Sequence, residues 1–273
     1  MMLEDHLGDV IRKARIASQV DLDKAAQAAG LTAEELAAFE ESGQPPRRPD
    51  FAALAPLLDL NAPKLEQLLR GWAPREIDTG LWQGFKVITT AGDGLTVNAY
   101  LAWDGATKEA ALFDTGFDIM PVVHLLEENG LSLNHLFITH SHEDHIAAVG
   151  PLRERFPYIQ LHSNIKSAPK DQRNRLGQII SLGNLHISYR ETPGHCEDGV
   201  TYVIGGFPKN APDIAVIGDC IFAGSMGRPN QSSEMLKKSV RTQIFSLPRP
   251  TLLCPGHGPM TTVGEEIDHN PFF

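Results

Sequence analysis

The sequence predicts an α/β protein in two parts, a small all-α segment followed by a larger domain of sheets and interleaved helices. Three observations predict it. Composition changes near residue 72, apolar residues before that point recur at helical spacing, and after it short β-rich runs alternate with helical patterns. The 273 residues suffice for one large domain or two smaller ones, since length over ~150 is a soft guide to domain count. We expect a helical part over 1–72, a linker over 73–81 and the α/β domain over 82–273.

Residues 1–70 are rich in Ala and Leu, with breaks at "SQVD", "AAGLT", "ESGQPPRRPD" and "DLNAP", which divides them into about five short helices. Asp21 and Thr32 are the expected N-caps of two of them, Thr32 with Glu35 as a capping box. "GWAPREIDTG" reads as the linker. Strands are expected at "FKVITT", "LTVNAYLAW", "EAALF", "HLFIT", "YIQLH", "LHISYR", "GVTYVIG", "IAVIG" and "TLLCP". Helical patterns fall at 118–129, 144–155 and 232–246. That order is an α/β domain built largely from sheets.

Bulk properties exclude several classes. A net charge of −10 argues against a nucleic acid or an anionic membrane as partner of the whole protein. No apolar run approaches the ~18 residues that a membrane span needs. The start, "MMLEDHLGDV", is acidic where a signal peptide would be basic. Three widely spaced cysteines make no disulfide framework, so a reducing cytoplasm is the expected location.

The chemistry concentrates in "THSHEDH", which crowds His140, His142, Asp144 and His145 together. Imidazoles titrate near neutrality and repel one another when protonated, so such density is tolerable when each gives a lone pair to a cation. Other suspicious residues sit just past apolar runs: Asp114 after "EAALF", His195 after "HISYRETPG", Asp219 after "IAVIG" and His257 after "TLLCPG". If the runs are neighbouring strands, their ends converge on one edge, where sites in α/β proteins usually form. Five imidazoles and two carboxylates suit zinc, iron or manganese, with no thiolate to demand a softer ion.

The pattern His-x-His-x-Asp-His, with His195, Asp219 and His257 following in order and "FDTG" preceding, resembles the metallo-β-lactamase superfamily over roughly residues 82–273. The resemblance implies an αββα sandwich with a two-metal site at one edge. By matching motif, His140, His142 and His195 would hold one ion and Asp144, His145 and His257 the other. Asp219 would bridge them, and Asp114 would orient a ligand histidine by hydrogen bonding. "GDCIFAGSMGRPN" and "PGHGPMTTVGEEIDHNPFF" are similar to the glyoxalase II branch, whose members hydrolyse glutathione thioesters. The chain stops 16 residues after His257, so the helical C-terminal domain that grips glutathione in full-length members is expected to be missing. The implied activity is hydrolysis of a thioester or related acyl bond by a metal-bound hydroxide, with two divalent ions, zinc first, and a small-molecule substrate. The alternative within the branch is a persulfide dioxygenase using one iron, on the equivalents of His140, His195 and Asp219.

Cys196, Cys220 and Cys254 all lie beside proposed ligands. A thiol at Cys220 could sense oxidants, although buried cysteine more commonly acts as a small hydrophobe. Lys166, Lys170, Arg173 and Arg175 face only Asp171 in "NIKSAPKDQRNR", a charged face or a receiver of an anionic substrate. Arg228 is a candidate carboxylate binder or a structural ion pair. His6, His124, His135, His162, His186 and His269 read as ordinary polar residues. The first 70 residues resemble the Cro/repressor helix-turn-helix family, with Ala25, Ala26, Ala29, Gly30 and Leu31 giving the turn. The groove-facing helix would run from about Ala33 to Glu41 and carries Glu34, Glu35, Glu40 and Glu41 with no Lys or Arg. Eight basic against twelve acidic side chains give this segment 8 − 12 = −4. Phosphate neutralisation dominates DNA affinity, so docking or homo-oligomerisation is expected rather than DNA reading, beside the rival of a regulator with a metabolite-sensing hydrolase half.

Overall fold

The structure, a computed structural model, describes residues 3–230 and 232–273. Five helices come first: α1 (Leu7–Ala17), α2 (Leu22–Ala29), α3 (Ala33–Ser42), α4 (Phe51–Leu57) and α5 (Ala62–Leu69). Their starts are set by capping chemistry. Thr32 and Glu35 form the expected capping box on α3. His6 and Asp9 form a second on α1, so His6 is a helix cap rather than a bystander. Asp21 occupies the N-cap position of α2 but makes no side-chain cap bond there. Gly30, at φ 69°, ends α2 in the left-handed conformation that glycine adopts without steric cost.

The first sheet is ordered β1 (Phe85–Gly92), β2 (Leu95–Trp103), β3 (Glu109–Phe113), β4 (Ser132–Phe137), β5 (Gln160–His162). Helix α6 (Met120–Asn129) carries the chain from β3 to the parallel β4, while α7 (Glu143–Ile146) and α8 (Val149–Arg155) carry it on to β5. The second sheet is formed from β6 (Ile180–Leu182), β7 (Leu185–Glu191), β8 (Val200–Gly205) and β9 (Ile214–Gly218), with two later strands beyond β9. A short hairpin, β10 (Ile221–Phe222) and β11 (Ser225–Met226), follows, and then α9 (Ser233–Ser239), which runs into a π-helical turn over Val240–Ile244. The two later strands are β12 (Leu252–Pro255), parallel to β9, and β13 (Thr261–Thr262); α10 (Val263–His269) comes last. The pattern over 232–246 thus holds one α-helix and a π turn, and α10 escaped the sequence reading.

Three apolar clusters define the layers. Between the sheets, Phe85, Tyr100, Phe113 and Phe137 meet Ile187, Tyr202, Val216 and Leu252. Outside the first sheet, Leu101, Leu112 and Leu136 pack on Val122 and Leu126 of α6 and Leu152 of α8. Outside the second, Val203, Ala215, Ile217 and Leu253 are covered by α9, α10 and the N-terminal helices. The result is helix, sheet, sheet, helix. The N-terminal helices share that last cluster: Ile11, Leu36, Phe39, Leu54 and Leu65 belong to the same buried group as Leu236, Val240, Ile244 and Phe272. Polar ties reinforce it, since the Asn61 amide donates to the Pro271 carbonyl at 2.8 Å and Lys64 Nζ donates to the carbonyls of Ile267 and Phe273 at 2.8 and 2.7 Å.

Strand direction positions the site. β3 and β4 are parallel, and so are β9 and β12; β7 is antiparallel to β8, which is antiparallel to β9, so β7 points with β9. The C-terminal ends of β3, β4, β7, β9 and β12 are therefore where Asp114, His140, His195, Asp219 and His257 emerge. They lie at one rim of two sheets rather than at one edge of a single sheet.

Candidate metal centre

Two groups of donors form at that rim. The ligating atoms of His140, His142, His195 and Asp219 lie within 4.8 Å of one another, and so do those of Asp144, His145 and His257. In the first group, His142 Nδ1 is 3.0 Å from both His140 Nε2 and His195 Nε2. In the second, His257 Nε2 is 3.1 Å from Asp144 Oδ2, and His145 Nε2 is 3.6 Å from that oxygen. Asp219 faces both: Oδ2 is 3.6 Å from His195 Nε2 and 3.5 Å from His257 Nε2, while Oδ1 is 3.4 Å from His145 Nε2.

Outer hydrogen bonds aim the rings. His145 Nδ1 donates to Asp114 Oδ2 at 2.8 Å, His195 Nδ1 to the Arg228 carbonyl at 2.8 Å and His257 Nδ1 to the Thr96 carbonyl at 2.6 Å. His140 Nδ1 lies 3.1 Å from Thr139 Oγ1, whose hydroxyl donates to Asp114 Oδ2 at 2.8 Å, so the imidazole donates to Thr139. With every Nδ1 proton committed outward, the Nε2 lone pairs of these four rings point inward. Buried polar atoms normally have partners, yet His145 Nε2 and Asp219 Oδ1 have none. A cation between these donors satisfies them, so the residues present fit a metal.

Charge tells the same story. Burial lowers the pKa of His145, but Asp114 and Asp219 outweigh it and raise it to about 10. Burial is likewise overcome at His257, where Asp144 and Asp219 raise it to about 11. His140 moves down because burial and the charge of His145 disfavour its proton, and burial also lowers His195. Burial would raise Asp219, but the neighbouring His145 and His257 imidazoles hold it well below the usual carboxylate range. The carboxylates thus create a local field that collects positive charge, which a bound cation would supply.

Close backbone packing was invisible in the motif. A Cβ on Gly256 would sit 2.2 Å from Asp219 Oδ1 and 2.5 Å from His145 Cε1, and one on Gly227 would sit 1.8 Å from the Asp219 carbonyl oxygen. Strand β2 also contributes unannounced: Asn98 donates to the Pro255 and Gly258 carbonyls, and Tyr100 donates to the Pro255 carbonyl at 2.7 Å, fixing the loop that bears His257. In the sequence, Gly256 and Gly227 read only as turn residues.

The remaining candidates lie further out. Arg228 supplies its carbonyl to His195, and its side chain is exposed beside α1. Lys166 pairs with Glu197, and Arg173 donates to the Ala168 carbonyl at 2.7 Å; both line a surface groove with Pro193 and Glu197 that no proposed metal ligand borders. Lys170 and Arg175 are exposed and do not border that groove. Two of the thiols are buried, which pushes Cys220 up to about 12 and Cys254 above its ordinary value, and Cys220 Sγ contacts the Thr192 carbonyl at 3.7 Å. Burial also raises the Cys196 thiol, which donates to Asp198. His135 and His162, read as ordinary, form a contact of 3.1 Å, with His162 stacked on Phe137.

With this fold and donor set, comparison with known proteins places the chain: residues 92–257 match the metallo-beta-lactamase superfamily model, and the chain belongs to that family. Among its relatives is the hydroxyacylglutathione hydrolase GloC of Haemophilus influenzae, 30% identical over 64% of this chain and 92% of that protein. Human mitochondrial persulfide dioxygenase ETHE1 is 33% identical over 63% of this chain and 69% of its own. A solved structure of TTHA1623 in a di-iron-bound form superposes with a TM-score of 0.57 at 27% identity, covering 69% of this chain and 100% of that one. The family match begins after the N-terminal helices.

Proposed function

We propose that this protein is a glyoxalase II-like hydrolase that cleaves a thioester or related acyl bond at a centre of two divalent ions, zinc first, with iron or manganese as alternatives. The observation that carries it is Asp219, whose two carboxylate oxygens face both donor groups. His140, His142 and His195 would hold one ion, Asp144, His145 and His257 the other, and Asp219 would bridge them. Such ions, when bound, lower the pKa of a water toward ~7 and polarise a carbonyl oxygen. The chain's part is to hold the donors still. Asp114 accepts from His145 Nδ1, Thr139 Oγ1 and the Thr139 amide, so one carboxylate steadies rings of both groups. The substrate is a small acyl compound, and the compartment a reducing cytoplasm.

A second reading, a one-iron persulfide dioxygenase, is favoured by an asymmetry. Asp144 and His257 satisfy each other at 3.1 Å, whereas three ring nitrogens crowd together in the first group. The relationship to ETHE1 supports it as well. Metal analysis of protein purified without added metal separates the two, run alongside thioester hydrolysis and oxygen uptake with a persulfide. Two ions per chain and hydrolysis without oxygen uptake are expected; one iron and oxygen uptake would give the second reading instead.

For the N-terminal helices we propose a docking or oligomerising role in a helix-turn-helix-like module, not DNA reading. The four glutamates of α3 are less repulsive than their count suggests. Glu40 is turned inward to Arg15 at 2.6 and 2.8 Å, and Glu35 is engaged by the cap and Arg47. Yet α3 still offers phosphate no cation.

A further inference from the structure

The N-terminal helices reach the rim of the metal centre. Glu4 packs against Gly258, the residue after His257, so closely that a Cβ there would lie 2.9 Å from Glu4 Cβ. Asp5 accepts from the buried Ser225 hydroxyl at 2.6 Å. Lys13 pairs with Asp5, donates to the Met226 carbonyl at 3.2 Å and lies 5.1 Å over the Phe222 ring. Phe222 in turn sits edge-on to the His257 ring, 5.8 Å between centroids. Residues 4–13 are therefore fixed against the strip 222–228, and that strip touches Asp219 through Gly227 and His195 through the Arg228 carbonyl.

Between α1 and this strip lies a groove of about 480 Å³, bordered by Arg12, Lys13, Ile16, Arg228 and Pro229, with Asp9 at its edge. Asp9 is committed to the cap of α1 through His6. Neither the Arg12 nor the Arg228 guanidinium has an ion-pair partner among the described residues, although the chain carries a net charge of −10. Both guanidiniums are exposed and border the same groove, so an anion lying in it would meet two donors. Ile16, 54% exposed, gives the same cavity an apolar patch. A second groove of about 750 Å³ continues past Ala17 and Pro229, lined by Lys238 and Arg241 but also by Glu234 and by Asp59, which pairs with Lys237.

Resting on the hydrolase reading above, we propose that α1 walls the substrate groove and that Arg12, opposite Arg228, binds a carboxylate of an acidic thioester, remote from the bond that is cleaved. Arg12 is then a specificity-determining residue supplied by a segment that the family match does not include. A guanidinium–carboxylate pair is bidentate and among the stronger hydrogen-bonded contacts, so its loss should fall on binding.

The test uses the full-length, metal-loaded protein and the variants Arg12→Ala and Arg12→Lys, with thermal melts to show that the exposed change leaves the fold in place. KM is measured for S-acetyl-mercaptosuccinate and for the neutral S-acetyl-mercaptoethanol. In Arg12→Ala the ratio of the two KM values should rise about tenfold through the acidic substrate, with partial recovery in Arg12→Lys. An unchanged ratio overturns the proposal. Calorimetric binding of the uncleavable thioether S-butyl-mercaptosuccinate provides a readout independent of turnover. If the wild type hydrolyses no thioester, the hydrolase reading fails alone, and weaker thioether binding by Arg12→Ala still supports the anion site. Equal binding by both proteins, or none by the wild type, removes it.

Discussion

Asp114 shows how far single residues shape this centre. It holds a left-handed backbone at φ 57°, which costs a non-glycine residue about 1 kcal/mol, and in return its carboxylate accepts three hydrogen bonds. Its importance was legible because it stands in a motif after an apolar run. Gly256 was not legible, since a glycine after a proline reads as a turn and nothing in the chain records that Asp219 Oδ1 lies where its Cβ would go. Gly256→Ala should therefore displace Asp219 or His145, keep the circular-dichroism spectrum, and cut both bound metal and activity by about 100-fold. Metal content equal to wild type would show that the loop can yield. Arg228 is the opposite case. Its charged head drew the eye in the sequence, while its carbonyl does the work of orienting His195.

At the scale of elements, strands carrying ligands were easy to place, because buried parallel strands are continuous apolar runs, as in "IAVIG" and "TLLCP". The short pieces β6, β10, β11 and β13 have two or three residues each, too few for any periodicity. The pairing of β4 with β5 brings His135 and His162 together, a contact that separation in the chain concealed. Burial, aided by His135, pushes His162 down to about 4 from the ordinary 6.5. The sign follows: the unfolded chain takes up a proton near 6.5 that the folded chain refuses until about 4. Stability is thus full above pH 6.5 and falls as pH drops toward 4, by up to roughly 3 kcal/mol from this ring. His162→Gln should flatten the melting temperature over that window. A slope equal to wild type would place the acid sensitivity elsewhere.

For the whole molecule, composition located the change from helices to sheets, but it gave no sign that the two parts share a core. Amphipathic spacing says that a helix has an apolar face and is silent about what covers it. Here Leu36 and Phe39 lie in one cluster with Leu236 and Phe272. Removing residues 1–78 should leave the donors from Asp114 onward in place but expose the face of α9 and the C-terminal residues to water. We expect a melting temperature lower by several degrees and a changed oligomeric state in light scattering, whereas no change in either would mean that the helices are dispensable to packing. The same clasp between Asn61 or Lys64 and the last three residues sets an order of events during synthesis. Helices α1–α5 leave the ribosome before the surface that shields them, which follows about 200 residues later at ~5–20 residues per second. For ten seconds or more, on the order of that rate, the part of their apolar surface that packs on Leu236 and Phe272 waits uncovered. The nascent chain is therefore expected to lean on holdase chaperones until α10 and residues 271–273 have emerged.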